Sequence, residues 1–254
     1  MQNFGDSTYN AIRLWNRRSI GKESAVFKNY LRELCSMDMF LLHDIEKLAQ
    51  EQEVYVFSGI IRDFFLEIPN HEILQGKKKK RSPRDLDFVL DGDCKADMFT
   101  AGNVHVNQYG GLKLEWGNVT VDVWSLEETW GIIEDGKPVT PQSLLETSFF
   151  NFSAIVYDYN KEKFIIGRPF LDFLNTNILD VVYEKNPKPD LCIVNTLYYK
   201  EKLKCIIGQR LSQWIINQYE SNPMMEYDTV QQRHFGKILY DKKKISQFVE
   251  NLKK

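Results

Sequence analysis

The segment Asp85-Leu86-Asp87-Phe88-Val89-Leu90 constrains this chain more than any other. Its alternation predicts a strand with Leu86, Phe88 and Leu90 on one face and Asp85, Asp87 and Val89 on the other. Residues two apart on a strand point to the same side, so Asp85 and Asp87 project together into one small volume. Two like charges there are tolerable mainly when a cation sits between them. Taken alone, such a pair on a strand edge is most often a solvated face.

A third carboxylate, Asp122, interrupts the apolar run VTVDVW, where Val119, Val121 and Val123 face one way and Asp122 the other. A charge in that setting needs a partner, either a lysine or a metal. Three aspartates on neighbouring strands suit hard cations such as Mg²⁺ or Mn²⁺, which take carboxylate oxygens and leave positions for substrate phosphates. Two such ions, roughly 3.5 to 4 Å apart, would serve an in-line displacement at phosphorus.

Upstream, the β-branched and aromatic run 54–57 ends at Ser58-Gly59 and is followed by IIRDFFLEI, which has helical period. Exposed N–H groups and the helix dipole favour a phosphate at such a junction, and glycine lets it come close. Most turns of this kind are structural; the position of this one ahead of the aspartates is what gives it weight.

Around this centre the pattern predicts an α+β fold, helices then a mixed sheet then helices. Two helices are expected within residues 10–52, a short strand at 104–107, and hairpins at 112–124 and at 150–166. Helical pattern returns over 191–219 and again, with a basic face, from Lys237 onward. The natural division is a helical segment 1–52, a catalytic domain 53–170 and a mostly helical region 171–254. Residues 68–84, with the run KKKKR at 77–81, read as a solvated loop that could alternatively fold over a triphosphate.

At 254 residues the chain can bury a sizeable core, and its net charge of −2 argues against a surface that is basic all over. Cys35, Cys94, Cys192 and Cys205 are scattered without metal-ligand spacing, which suits reduced thiols. No membrane span or secretory leader is evident, so the expected location is cytoplasmic.

The run FSGIIRDFF followed by RDLDFVL resembles the head domain of the poly(A) polymerase and CCA-adding tRNA nucleotidyltransferase family, within the polymerase-beta-like nucleotidyltransferase superfamily. That family's motif reads approximately Gly-Gly-x-Val-Arg-Asp, a spacer, then Asp-x-Asp. Ser58, Gly59, Ile61, Arg62 and Asp63 fill the first part and Asp85 and Asp87 the second. VTVDVWSL is similar to the strand with the third carboxylate, and FFNFSAIVYD to the family's Asp-Phe-Thr-Ile-Asn-Ala-Leu-Ala-Tyr segment.

The resemblance implies a nucleotidyltransferase-type sheet flanked by helices, and a template-independent transfer of NMP or dNMP from a nucleoside triphosphate to a hydroxyl, releasing pyrophosphate. Asp85, Asp87 and Asp122 would hold two Mg²⁺ or Mn²⁺ ions. Ser58 and Gly59 would hold the triphosphate, and Arg62 and Asp63 would contact the nucleotide or buttress the turn.

Departures limit what carries over. Thr147, Ser148 and Phe149 replace the family's arginine-rich lead, Ser153 stands where asparagine is expected, and the base-selecting Glu-Asp-x-x-Arg has no counterpart in 188–203. The chain is also too short for the helical body and tail with which CCA-adding enzymes grip tRNA.

The acceptor stays open among a nucleic-acid 3′ end, a growing oligonucleotide made as a signal, and a tRNA or protein modified by a toxin-type enzyme. A role in bacterial antiviral defence rests on analogy alone. A non-catalytic module binding nucleotide or a protein partner is the competing class, disfavoured because all three aspartates are present. Trp116, Trp124, Trp130, Tyr198 and Tyr199 could stack on bases or fill the core, and Tyr109 with Gly110-Gly111 could shape a pocket rim. Arg13, Arg17 and Arg18 with the lysines of 237–254 form a second basic surface only if the termini meet.

Overall fold

A computed structural model describes residues 14–36, 39–57, 59–67, 85–100, 103–107, 109–116 and 119–254; for Met39, Glu67, Asp85, Trp116 and Val119 it describes the backbone alone. Ser58, Arg13, the lysine run at 77–81 and the turn at Gly117-Asn118 lie outside the described residues.

The N-terminal helices exist to cover a sheet. α1 (Arg17–Gly21) is a single turn closed by a capping box between Asn16 and Ser19. It adds to the two helices expected here, since one turn is too short to show a period. α2 (Ser24–Cys35) buries Phe27, Tyr30, Leu31 and Leu34 along one stripe, and α3 (Met39–Glu51) buries Leu41, Ile45 and Leu48. These side chains share one core with Val54, Val56, Leu86, Phe88, Leu90, Val121 and Val123 of the sheet.

The strands β1 (Glu53–Phe57), β2 (Asp85–Asp91), β3 (Asn103–Val106), β4 (Leu112–Trp116), β5 (Val119–Ser125), β6 (Ile155–Asp158) and β7 (Lys163–Ile166) form one sheet in the order β3-β4-β5-β2-β1-β6-β7. The β2–β5 pair is parallel and the other pairs are antiparallel. α4 (Gly59–Glu67) follows β1 and packs its Ile60, Ile61, Phe64 and Phe65 into the same core as α2 and α3. The opposite face carries Tyr55, Val89 and Val156. α5 (Trp130–Glu134) and α6 (Pro141–Glu146) cover it through Ile132, Leu144 and Leu145.

The expected hairpin over 150–166 is shorter than its apolar run. Residues 150–154 leave the sheet: Phe150 bridges Val181, and Asn151 opens a 3₁₀ turn. The Asn151 amide explains the departure, because its Nδ2 donates to Ile178 O (2.8 Å) and its Oδ1 accepts from Asp180 N (3.1 Å).

The C-terminal region begins with α7 (Arg168–Thr176) and a short strand β8 (Ile178–Leu179). The helical pattern over 191–219 is two helices, α8 (Pro189–Leu203) and α9 (Gln209–Ser221), separated by β9 (Ile206–Ile207), which pairs parallel with β8. The break follows from Lys204, which is left-handed at φ 54°, and from Asp180, whose Oδ1 accepts from Leu211 N (2.7 Å) at the start of α9. Gly208 permits that approach, since a Cβ there would lie 2.4 Å from the Asp180 carboxyl carbon. α10 (Tyr227–Phe235) packs against α8, and α11 (Lys242–Leu252), capped by Asp241, packs against α8 and α9. The principal contacts of α1 are instead with β7. No helix among the described residues is long and apolar enough to cross a membrane.

The architecture is therefore α+β, a seven-stranded mixed sheet with helices on both faces and a helical C-terminal region. Asn151 ties the sheet to that region. Replacing it by alanine orphans Asp180 N and Ile178 O, and should cost about 2 kcal/mol in chemical denaturation. An unchanged denaturation midpoint would refute this role.

Candidate active site

The register of the sheet decides where the carboxylates stand. In the parallel ladder Asp87 pairs with Asp122, and Asp85 pairs with Thr120. Adjacent strands run about 4.8 Å apart, so Asp87 and Asp122 are side by side on one face of the sheet. Asp85 begins the same strand two residues earlier, in the position that alternation assigns to that face. The row continues to Phe57 on β1 in one direction, and to Lys113 on β4 and His105 on β3 in the other.

Asp87 and Asp122 line a cleft of about 500 Å³. Phe57 and Trp124 form part of its floor, with their rings edge to face at 6.1 Å, and the Trp124 indole N–H donates to Thr129 Oγ1 (3.0 Å). Trp130 and Phe149 add aromatic wall. Tyr109 stands on the turn between β3 and β4 and lines the same cleft, which places it at the rim the sequence suggested. Asn107 builds that turn by accepting from Tyr109 N (2.8 Å), and Gly111 allows it, since a Cβ there would lie 2.8 Å from the Asn107 amide nitrogen.

The far wall is the start of α8, where its cap residue Lys188 and then Leu191, Cys192 and Asn195 line the cleft. Lys188 Nζ sits 5.3 Å from the centroid of the Tyr109 ring, so the two rims meet. Burial pushes the Cys192 thiol far above its ordinary pKa, which keeps it protonated and removes it as a nucleophile. Asn195 Oδ1 is buried with no hydrogen-bond partner among the described residues. Leaving a carbonyl oxygen so costs about 1 to 3 kcal/mol.

Gly59 begins α4 at the end of β1, one strand from Asp87. Arg62, expected to contact the nucleotide or buttress the turn, is buried. Its guanidinium lies 4.7 Å from the centroids of both Phe152 and Tyr199, and its Nε donates to Asp63 Oδ1 (2.7 Å). Burial alone would lower its pKa, but Tyr199 and Asp63 outweigh that and hold it above the ordinary value. An added Cβ at Gly59 would sit 3.8 Å from the same guanidinium, so Arg62 lies against the first residue of α4. Asp63 also reaches Lys202 of α8 at 3.6 Å.

Among the described side chains no group of three metal-binding residues is present, Asp85 contributing its backbone alone. The donors that the register does assemble, Asp87 and Asp122, are carboxylates side by side on adjoining strands, a pair that suits hard divalent cations. Of the aromatics singled out in the sequence, Trp124 and Trp130 line the cleft, Tyr199 packs on Arg62, and Tyr198 packs on Phe235. Sequence reasoning missed Lys188 and Asn195. Their signal was the spacing 188, 191, 192, 195 across the cap and first turns of one helix.

No family model matches the sequence, and no curated protein matches it. Solved structures do. One is the complex of a CCA-adding enzyme with ATP, 15% identical, TM-score 0.57, covering 91% of this chain and 54% of that one. Another is a tRNA nucleotidyltransferase with a primer tRNA and an incoming ATP analog, 16% identical, TM-score 0.54, covering 81% and 60%. An apo tRNA-processing enzyme is 16% identical, TM-score 0.55, covering 90% and 57%. The chain thus spans little more than half the length of these proteins, and the likeness establishes a nucleotidyltransferase-type fold.

Arg62 should behave as a structural pin. Arg62→Ala is expected to cost about 3 kcal/mol, and Arg62→Lys to recover little of it, because a point charge cannot reproduce the packing of a flat guanidinium against both rings together with its hydrogen bond to Asp63. Thermal denaturation of the two variants checks this; full recovery with lysine would show that charge alone matters.

Proposed function

We propose that this protein is a template-independent nucleotidyltransferase that moves NMP or dNMP from a nucleoside triphosphate to an acceptor hydroxyl and releases pyrophosphate. The observation that carries the reading is the pairing of Asp87 with Asp122 inside a cleft large enough for a nucleotide, one strand from the Gly59 turn. The nucleotidyltransferase-type fold supports it.

In this reading Asp85, Asp87 and Asp122 would hold Mg²⁺ or Mn²⁺, which when bound supplies charge neutralisation and polarisation at the reacting phosphoryl group. The Gly59 turn and the N-terminus of α4 receive the triphosphate through backbone N–H groups, with Arg62 fixing the turn from below. The aromatic floor of the cleft takes the base. Asp122, on the strand farther from that turn, accepts the hydrogen bond of the acceptor hydroxyl and takes its proton. The acceptor oxygen then bonds to the α-phosphorus while the bond to the β-phosphate bridging oxygen breaks, and pyrophosphate leaves on the Gly59 side. The aromatic walls serve by excluding water from that step.

Incubation with each NTP and dNTP in Mg²⁺ or Mn²⁺, following pyrophosphate release and product size, tests the reading. Asp87→Ala and Asp122→Ala are each expected to lower release by about 100-fold or more, with folding retained. Absence of release with every nucleotide, metal and added RNA or DNA acceptor would leave a nucleotide-binding module in its place.

Asn195 is the cleft's unmatched acceptor and suits an N–H of the bound base. Asn195→Ala should raise KM for the preferred nucleotide about tenfold, equivalent to about 1.4 kcal/mol, and change kcat far less. A variant with unchanged KM for every nucleotide would remove Asn195 from the binding site.

A further inference from the structure

We propose that Lys113 positions the acceptor by binding an anionic group, a phosphate, next to the hydroxyl that attacks. The inference rests on the transfer reading above and deepens it by naming what the acceptor carries.

The argument starts from the row that crosses the sheet: His105, Lys113, Asp122, Asp87, Phe57, Val156. An in-line displacement places the entering oxygen and the leaving pyrophosphate on opposite sides of the phosphorus. With the triphosphate at the Gly59 turn, beside β1, the entering oxygen arrives over Asp122 and the strands beyond it. The two ends of the row differ in the matching sense. Val156 is wholly buried, and Phe57 packs against Trp124, so that end is closed. Lys113 and His105 are exposed, so the other end is open to a second substrate.

Lys113 is the direct cross-strand neighbour of Asp122, about one strand spacing of 5 Å away, on the same face. Opposite charges so placed usually pair. Yet Lys113 makes no ion pair among the described residues. It lies outside the lining of the nucleotide cleft, one step past the group assigned to the acceptor hydroxyl. A cation at that step meets whatever adjoins the hydroxyl, and an ammonium group there selects an anion. His105, one strand farther out, extends the same open platform. A nucleotide or oligonucleotide end offers a phosphate in this position; the side-chain hydroxyl of a protein does not.

The test uses the full chain, with Lys113→Ala, Lys113→Glu and Lys113→Arg beside wild type, and a short fluorescent single-stranded oligonucleotide with a free 3′ hydroxyl. Anisotropy in Mg²⁺ should show binding weakened about tenfold in the alanine variant, more in the glutamate variant, and restored by arginine. Affinity for NTP and the melting temperature should not move, because the side chain is exposed and outside the cleft. In turnover the loss should fall on KM for the acceptor. Equal oligonucleotide binding by wild type and Lys113→Ala overturns the proposal, as does a wild-type protein that binds no oligonucleotide and labels protein hydroxyls. Lys113-dependent binding without pyrophosphate release from any nucleotide would instead remove the transfer reading and leave the anion-binding surface in place.

Discussion

The parallel ladder between β2 and β5 is the constraint from which the rest of the site follows. It brings Asp87 against Asp122 although the two are far apart in sequence, and it does so only in one register. A slip of a single residue would turn Asp122 into the α2–α3 core and Val121 or Val123 into the cleft. The register is held because Leu86, Phe88 and Leu90 on β2 and Val121 and Val123 on β5 are all required on the buried side. Hydrophobic burial on one face thus sets the spacing of charges on the other.

Parallel pairing also explains the long excursion between the two strands. A strand cannot return parallel to its neighbour through a tight turn, and the chain spends the interval on β3 and β4. Those strands extend the carboxylate face outward as an exposed platform and place Tyr109 at the cleft rim. On the opposite side β1 delivers the Gly59 turn. The site therefore has a closed end and an open end.

Helix α8 joins the second part of the molecule to this centre. Its first half walls the cleft through Leu191, Cys192 and Asn195, and its second half reaches α4 through Tyr199 on Arg62 and Lys202 on Asp63. A buried guanidinium packed against two touching rings is a stiff connection, because removing either ring leaves a charge without its surroundings. The turn that would face the triphosphate and the helix that would face the base are held by the same contact.

The sequence by itself determined the elements that depend on local pattern. The alternation of 85–90 and of 119–124 marked two strands with carboxylates on their polar faces, and the run from 54 to 67 marked strand, turn and helix. It also marked helix over 191–219, as one stretch where Lys204 and Asp180 make two, and again from Lys237 onward, but it did not mark α7 or α10. Only the tertiary structure decided which strands are neighbours, that Arg62 points into aromatic packing, that Asn195 lines the cleft and has a buried, unmatched oxygen, and that Lys113 stands beside Asp122. The reason is physical. Periodicity reports which side of an element is buried, since burial acts on each residue's own surface. Register, crossover and helix docking depend on partners far away in the chain, and no local pattern encodes them.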